Sequence, residues 1–340
     1  MIFFPIFIAK VLVVTGHPTE KGEHLEIIDL IDSTLENDVF VDKMTEWYGC
    51  HGCILQNQLL ICGGFDRNNS YSKDCSIALP KYKKSFEMLK PRIYASSVEI
   101  NQNSLWITGG IAPWISSNPP LNVEKSTEII SLNSPPIEGK PLPFTIYYHS
   151  MVAVDQNTIY LIGGYLDGHD PTKDLPTKKT WIIDPTNNFD LKPGPSLKIG
   201  RSQHSTSKIK INRKIYLVVA GGQNYGRLDS VELLDTTSPD QGWIIGPKLP
   251  FELSDFTMVS SPKGVVVIGG LMNYKYVPFA GVGCPALMEL SGDSINNLKW
   301  TILKQKLKYP RFCHLAFSIC QLELTELSEK FKNSRKKNPI

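Results

Sequence analysis

No apolar run in this 340-residue chain approaches the roughly 20 residues that a membrane-spanning helix needs. Neither sign of charge dominates: 36 Lys and Arg stand against 33 Asp and Glu, for a formal net charge of +3. That balance gives no strong field for nucleic acid or an acidic membrane surface, so neither is an expected partner. There is no GxSxG elbow, no phosphate-binding P-loop and no HExxH helix. Cysteines are few and odd in number: Cys50, Cys53, Cys62, Cys75, Cys284, Cys313 and Cys320 cannot all pair within one chain. Their count therefore leaves the compartment open between extracellular and cytoplasmic. Hydrophobic residues make up 41% and charged residues 20%, which suits an ordinary packed core.

What the chain has instead is a repeat. Leu59 to Gly64 (LLICGG), Leu105 to Gly110 (LWITGG), Ile159 to Gly164 (IYLIGG), Tyr216 to Gly222 (YLVVAGG) and Val265 to Gly270 (VVVIGG) are apolar runs that end in two glycines. Val11 to His17 (VLVVTGH) reads as a sixth, degenerate copy with His17 in place of the second glycine. The spacing is on the order of 50 residues. A run apolar on both faces belongs between layers, not at a solvated surface. After each doublet comes a further strand, as in Glu128 to Leu132, Thr180 to Asp184, Val231 to Asp235, Ala286 to Leu290 and Leu25 to Leu30. Phe86, Phe189, Trp243 and Trp300 then mark an outer strand, where a large ring can wedge between neighbours. Before the doublets lies another signature: Arg201-Ser202-Gln203-His204, Arg311-Phe312-Cys313-His314, Tyr147-Tyr148-His149, Gly49-Cys50-His51 and Arg92-Ile93-Tyr94-Ala95. Each unit thus reads as four strands, one propeller blade.

These marks resemble the kelch-repeat superfamily over roughly residues 10 to 319, and most closely single-propeller invertebrate kelch-domain proteins. The resemblance implies an all-β fold: a six-bladed kelch β-propeller with four-stranded antiparallel blades. It also implies a cysteine before the first full doublet, Cys62, and another on the next strand, Cys75. Arg311 to Ile319 carries a first-strand signature with no doublet after it, whereas Val11 to Gly16 has no first strand before it. The segment 311–319 is therefore expected to complete the N-terminal blade and close the ring, leaving no open edge. Residues 1–9 (MIFFPIFIA) are either an apolar lead-in to the first strand or a truncated signal peptide; a basic start is missing. Residues 320–340 lie outside the ring as a polar, basic tail, partly disordered.

Candidate chemistry is sparse. Cys50-His51-Gly52-Cys53 has half a zinc spacing, but no second half exists and residues three apart on a strand face opposite ways, so no metal is expected. Cys62 and Cys75 on neighbouring strands are either a disulfide or two buried thiols. The sequon Asn68-Asn69-Ser70 between them points to an oxidising compartment, slightly favouring secretion. His51, His149, His204 and His314 read as equivalent residues at the mouth of the central channel, with Ala95 and Thr257 in the other two places. Their recurrence suggests a structural role over a metal or anion site. Glu99, Asp155 and Asp255 are the only carboxylates expected on inner strands, too few for convergent acid–base work.

Three post-doublet loops are long: Ile111 to Lys125, Tyr165 to Lys179 and Leu271 to Gly283. They carry Trp114, Tyr165, His169, Tyr274, Tyr276 and Phe279, and in a kelch ring they emerge on one face. Aromatics beside polar residues suit a docking surface. The expected function is a non-catalytic, monomeric protein-interaction platform without cofactor. The alternatives are a secreted carbohydrate- or matrix-binding propeller and a channel-based metal-dependent enzyme.

Overall fold

The computed structural model describes residues 8–14, 16, 24–30, 35–40, 48–66, 68, 70–79, 83–113, 122–166, 175–273 and 283–320. They form an all-β, six-bladed propeller of four-stranded antiparallel sheets. From the inner strand outward, blade 1 is Leu315–Cys320, Ile8–Val14, His24–Asp29 and Leu35–Phe40. Blade 2 is His51–Leu55, Gln58–Cys62, Asp74–Leu79 and Lys83–Glu87. Blade 3 is Ser96–Ile100, Ser104–Thr108, Thr127–Ser131 and Ser134–Gly139. Blade 4 is Ser150–Ala153, Ile159–Ile162, Thr180–Asp184 and Asp190–Pro193. Blade 5 is Ser205–Ile211, Lys214–Ala220, Val231–Asp235 and Ile244–Ile245. Blade 6 is Thr257–Ser260, Gly264–Ile268, Ala286–Ser291 and Lys299–Lys306.

Each inner strand touches the next one round the full circle, so the ring is closed. The closure runs as the sequence implies: Leu315–Cys320 pairs antiparallel with Ile8–Val14, with Val14 opposite Leu315 and Val11 opposite Ser318. Two boundaries move slightly. The first strand begins at Ile8, inside the apolar segment, and the last one reaches Cys320. Residues 1–7 and 321–340 lie outside the described residues.

The core is a set of slabs between blades. Ile209, Val218 and Leu233 of blade 5 pack with Met258, Val265 and Met288 of blade 6. Val11 and Val13 of blade 1 pack with Val266 and Ile268 of blade 6. This is why the doublet strands are apolar on both faces: each has a blade on either side. The outer aromatics do wedge. Trp243 Nε1 donates to Pro195 O at 2.8 Å and Trp300 Nε1 to Pro247 O at 2.9 Å, each reaching back to the preceding unit. The inner strands leave a sheet edge along the channel, and hydroxyls from adjacent blades help satisfy it. Ser260 Oγ donates to Lys208 O at 3.5 Å, Ser318 Oγ to Ser260 O at 2.7 Å, and Met258 N to Ser205 Oγ at 2.9 Å.

The doublet itself has a steric cause, seen at Gly163-Gly164. Both have positive φ, 63° and 85°. A Cβ on Gly163 would lie 2.8 Å from the His204 ring of the next blade, and one on Gly164 would lie 2.8 Å from His149 Cβ of its own blade. The first glycine thus admits a neighbour's ring and the second lets its own inner strand approach. By the same test Gly16, with φ 103° and a Cβ position 2.7 Å from His314 Cβ, is a second glycine. The degenerate copy has therefore lost its first glycine, at Thr15, and not its second at His17 as the sequence spacing suggests.

Cys62 and Cys75 face each other in register in blade 2 and form a disulfide across 13 residues, fully buried. Closing a loop of that length contributes about 2–4 kcal/mol. Urea unfolding of the double Cys62→Ala, Cys75→Ala chain is expected to show that loss against the oxidised chain; coincident transitions would mean the bond adds nothing. Asn69 of the intervening sequon lies outside the described residues.

Candidate functional site at the channel mouth

Six residues with left-handed backbone, one per blade, rim the channel on the side where the doublets end: Gly49, Tyr94, Tyr148, Gln203, Asp255 and Cys313. Their backbones join hand to hand. Tyr148 N donates to Tyr94 O, Gln203 N to Tyr148 O, Asp255 N to Gln203 O, Cys313 N to Asp255 O, and Gly49 N to Cys313 O, at 2.9 to 3.2 Å. Positive φ at non-glycine residues costs energy that these hydrogen bonds help to offset. The next residue in each blade lies behind the rim: Cys50, Ala95, His149, His204, Phe256 and His314. Together these twelve residues line a cavity of about 140 Å³.

This register corrects the histidine set. His149, His204 and His314 are equivalent, but the other three places hold Cys50, Ala95 and Phe256, not His51 and Thr257. His51 is one residue further along, opposite Cys62, where Ser150 stands opposite Ile162 in blade 4. A shift of one residue turns a strand side chain to the other face. His51 accordingly lies toward Arg92 of the blade 3 unit, whereas His149, His204 and His314 back onto Gly109, Gly163 and Gly269 of the preceding blade. His149 Nε2 is 2.8 Å from Thr108 Oγ1 and His204 Nε2 is 2.8 Å from Ser150 Oγ. Burial drives the imidazoles of His51, His149 and His314 down to about 3, aided by Arg92, His51 and Arg311 respectively. His204 also falls well below its ordinary value, through burial and then Arg201 and His149. All four rings are therefore neutral at physiological pH.

Among the described residues that line the mouth, Asp255 is the one carboxylate. Its oxygens accept from Ser254 Oγ at 2.8 Å and from the Cys313 thiol at 3.4 Å. Burial raises its pKa, opposed by those two bonds and by Arg227. The Cys313 thiol is pushed well up, by burial and then by Asp255, so it is a poor nucleophile. Glu99, on the inner strand of blade 3, and Asp155, in the turn after that of blade 4, stand exposed outside the mouth lining. Among the described residues no three His, Cys, Asp or Glu side chains gather as a metal-ligand set.

From this mouth a band of aromatic rings runs outward over blades 2 to 4. It links Tyr71, Phe65 and Tyr48 to Tyr94, then Tyr94 to Tyr148, Tyr147 and Tyr165, with centroids 4.2 to 6.2 Å apart. Short ladders just past the doublets hold the band: Tyr48 bridges Phe65, Ile93 bridges Ile111, and Ile146–Tyr147 pairs with Tyr165–Leu166. Of the six loop residues proposed from sequence, Tyr165 is in the band. Trp114, His169, Tyr274, Tyr276 and Phe279 lie outside the described residues.

Sequence reasoning passed over Tyr225. It caps the short hairpin that follows Gly221-Gly222, is 93% exposed and has φ 55°. Asn224 Nδ2 donating to Gly200 O at 2.6 Å and Arg227 Nε to Ser254 Oγ at 3.2 Å hold this hairpin down. Loop length drew attention to the long loops; a tyrosine next to glycine in a six-residue loop was the available signal.

The solved structure titled "Structure of YjhT" is similar. It aligns with a TM-score of 0.66 and 12% identity, covering 87% of this chain and 95% of that one. At that identity the likeness establishes the propeller fold alone. No family model matches the sequence, and no curated protein matches it.

Proposed function

We propose that this chain is a kelch-type propeller working as a non-catalytic, monomeric platform for a protein partner, which docks on the face where the doublets end. The observation that carries this reading is exposed Tyr225 together with the six partly exposed rings of the aromatic band on the same face; the seventh, Tyr147, is buried. A fully exposed tyrosine on a pinned hairpin is a low-entropy anchor of the kind that dominates interfaces. The lone carboxylate of the mouth speaks for binding over acid–base catalysis, which wants two convergent groups.

The Cys62–Cys75 disulfide supports placing that encounter in an oxidising compartment, extracellular or luminal. It also keeps the second reading in play, a secreted propeller that binds carbohydrate or matrix with the same face. The channel-based metal enzyme has no comparable feature behind it. Tyr225→Ala, Trp114→Ala and Tyr274→Ala are each expected to weaken partner capture about tenfold or more with unchanged melting temperature. Undiminished capture by all three variants overturns the protein-platform reading.

A further inference from the structure

The mouth has an unusual chemical bias. Of its twelve lining residues, Asp255 is the only carboxylate, no lysine or arginine is present, and three are histidines. Those histidines are neutral, as shown above. The surroundings of the carboxylate are aromatic. Tyr94 and Tyr148 are stacked at 4.2 Å, and both feel the Asp255 charge. Phe256 and the rings of His149, His204 and His314 complete the wall.

A carboxylate and π-faces both favour the same visitor, a cation that brings N–H or N–CH groups. An anion would meet the repulsion of the carboxylate and of the negative ring faces. The volume, about 140 Å³, holds a few waters at about 30 Å³ each, or one head group in their place.

We propose that the channel mouth binds an alkylammonium head group against Asp255 and the rings of Tyr94 and Tyr148. The proposal rests on the reading of this face as the binding face and deepens it: the partner's central anchor would be a lysine side chain, with Tyr225 and the aromatic band contacting the surface around it. A free small amine presents the same chemistry. Arg227 reaches Asp255 only through Ser254, so its charge weakens the site without occupying it.

The test is titration of the full chain with n-butylammonium and with N-acetyl-lysine methylamide, followed by calorimetry and ligand-detected NMR, with acetate as the anion control. Both ammonium probes are expected to bind, and acetate is not. Asp255→Asn is expected to weaken binding about tenfold. It should fold, because asparagine accepts the left-handed backbone at φ 58°. Tyr148→Leu is expected to weaken it about threefold, the scale of one exposed cation–π contact. Affinity should rise with pH as Asp255 ionises and then level off; the charged and titratable groups facing it are Arg227, Cys313, Tyr94 and Tyr148. Tighter binding of the lysine probe points to a protein-borne ammonium, and tighter binding of butylammonium to a small amine. No ammonium binding, or equal binding by Asp255→Asn, overturns the proposal. Neither result would touch the partner capture read out through Tyr225, so the two ideas fail separately.

Discussion

A chain ending at Lys308 is expected to show no cooperative unfolding transition at all. That truncation removes the inner strand Leu315–Cys320 and with it six opposed residue pairs along Ile8–Val14. Val11, Leu12 and Val13, now at most 1% exposed, would face the channel and the neighbouring blades without cover. Each such side chain contributes about 1.5–3 kcal/mol through burial. Arg311 goes too, and it is the ion-pair partner of Glu26 at 2.6 Å, with both side chains at 1% exposure or less. A buried carboxylate stripped of its cation costs about 3–5 kcal/mol. The losses together match or exceed the roughly 5–15 kcal/mol of net stability of a whole domain. Circular dichroism melting of this truncation, beside one ending at Gln321 that keeps the strand, reads the result directly. Equal melting temperatures would show that the ring holds without its closing strand.

The ring was legible because glycine doublets are fixed by two constraints at once, positive φ and the approach of a neighbouring ring, so the sequence has little freedom there. Closure was legible from two incomplete units that complement each other. The side-chain register at the mouth was not. The rim residue is free to be Gly49, Tyr94, Tyr148, Gln203, Asp255 or Cys313, since what matters there is backbone conformation. With no fixed residue to align on, His51 looked equivalent to His149 although it points to the other side of its strand. The arginines at 92, 201 and 311 were visible as a recurrent signature, but their partners were not. Glu128, Glu232 and Glu26 lie on the third strand of the blade, 31 to 36 residues away in two cases and 285 in the third. Spacing alone does not announce a pairing that only the blade's geometry creates. Likewise the aromatic band is assembled from positions on both sides of two doublets and before a third, and only Tyr165 of the proposed loop residues falls in it.

The second large effect is expected from Glu232→Ala, a loss of about 3–5 kcal/mol. Glu232 and Arg201 are both 0% exposed and 2.8 Å apart. The carboxylate does more than balance charge: Lys198 N donates to Oε2 at 2.7 Å and Ile199 N to Oε1 at 3.1 Å. The guanidinium in turn donates to Gly221 O at 2.8 Å, to Ser230 O at 3.0 Å and to Ser230 Oγ at 3.1 Å. Arg201 thereby ties the doublet of blade 5 to its third strand, and Glu232 ties that strand to the chain entering the blade. Alanine would leave a buried cation without its partner and two backbone donors without an acceptor. Burial already pulls the Arg201 pKa down, against the pull of Glu232, so removing the carboxylate deepens that strain. Glu232→Gln keeps an acceptor for the backbone donors and should cost less, about 1–3 kcal/mol. Replacing both partners with leucine should not restore stability, because the orphaned backbone groups remain. The same latch recurs at Arg92–Glu128 and Arg311–Glu26, hence in blades 1, 3 and 5. Blades 2, 4 and 6 carry Ser76, Trp181 and Met288 in that register, opposite Ile61, Leu161 and Val267. Met288→Leu at the matching place in blade 6 is therefore expected to cost less than about 1.5 kcal/mol. Equilibrium urea unfolding of the two single variants side by side separates a latch confined to alternate blades from a third strand that tolerates no change anywhere.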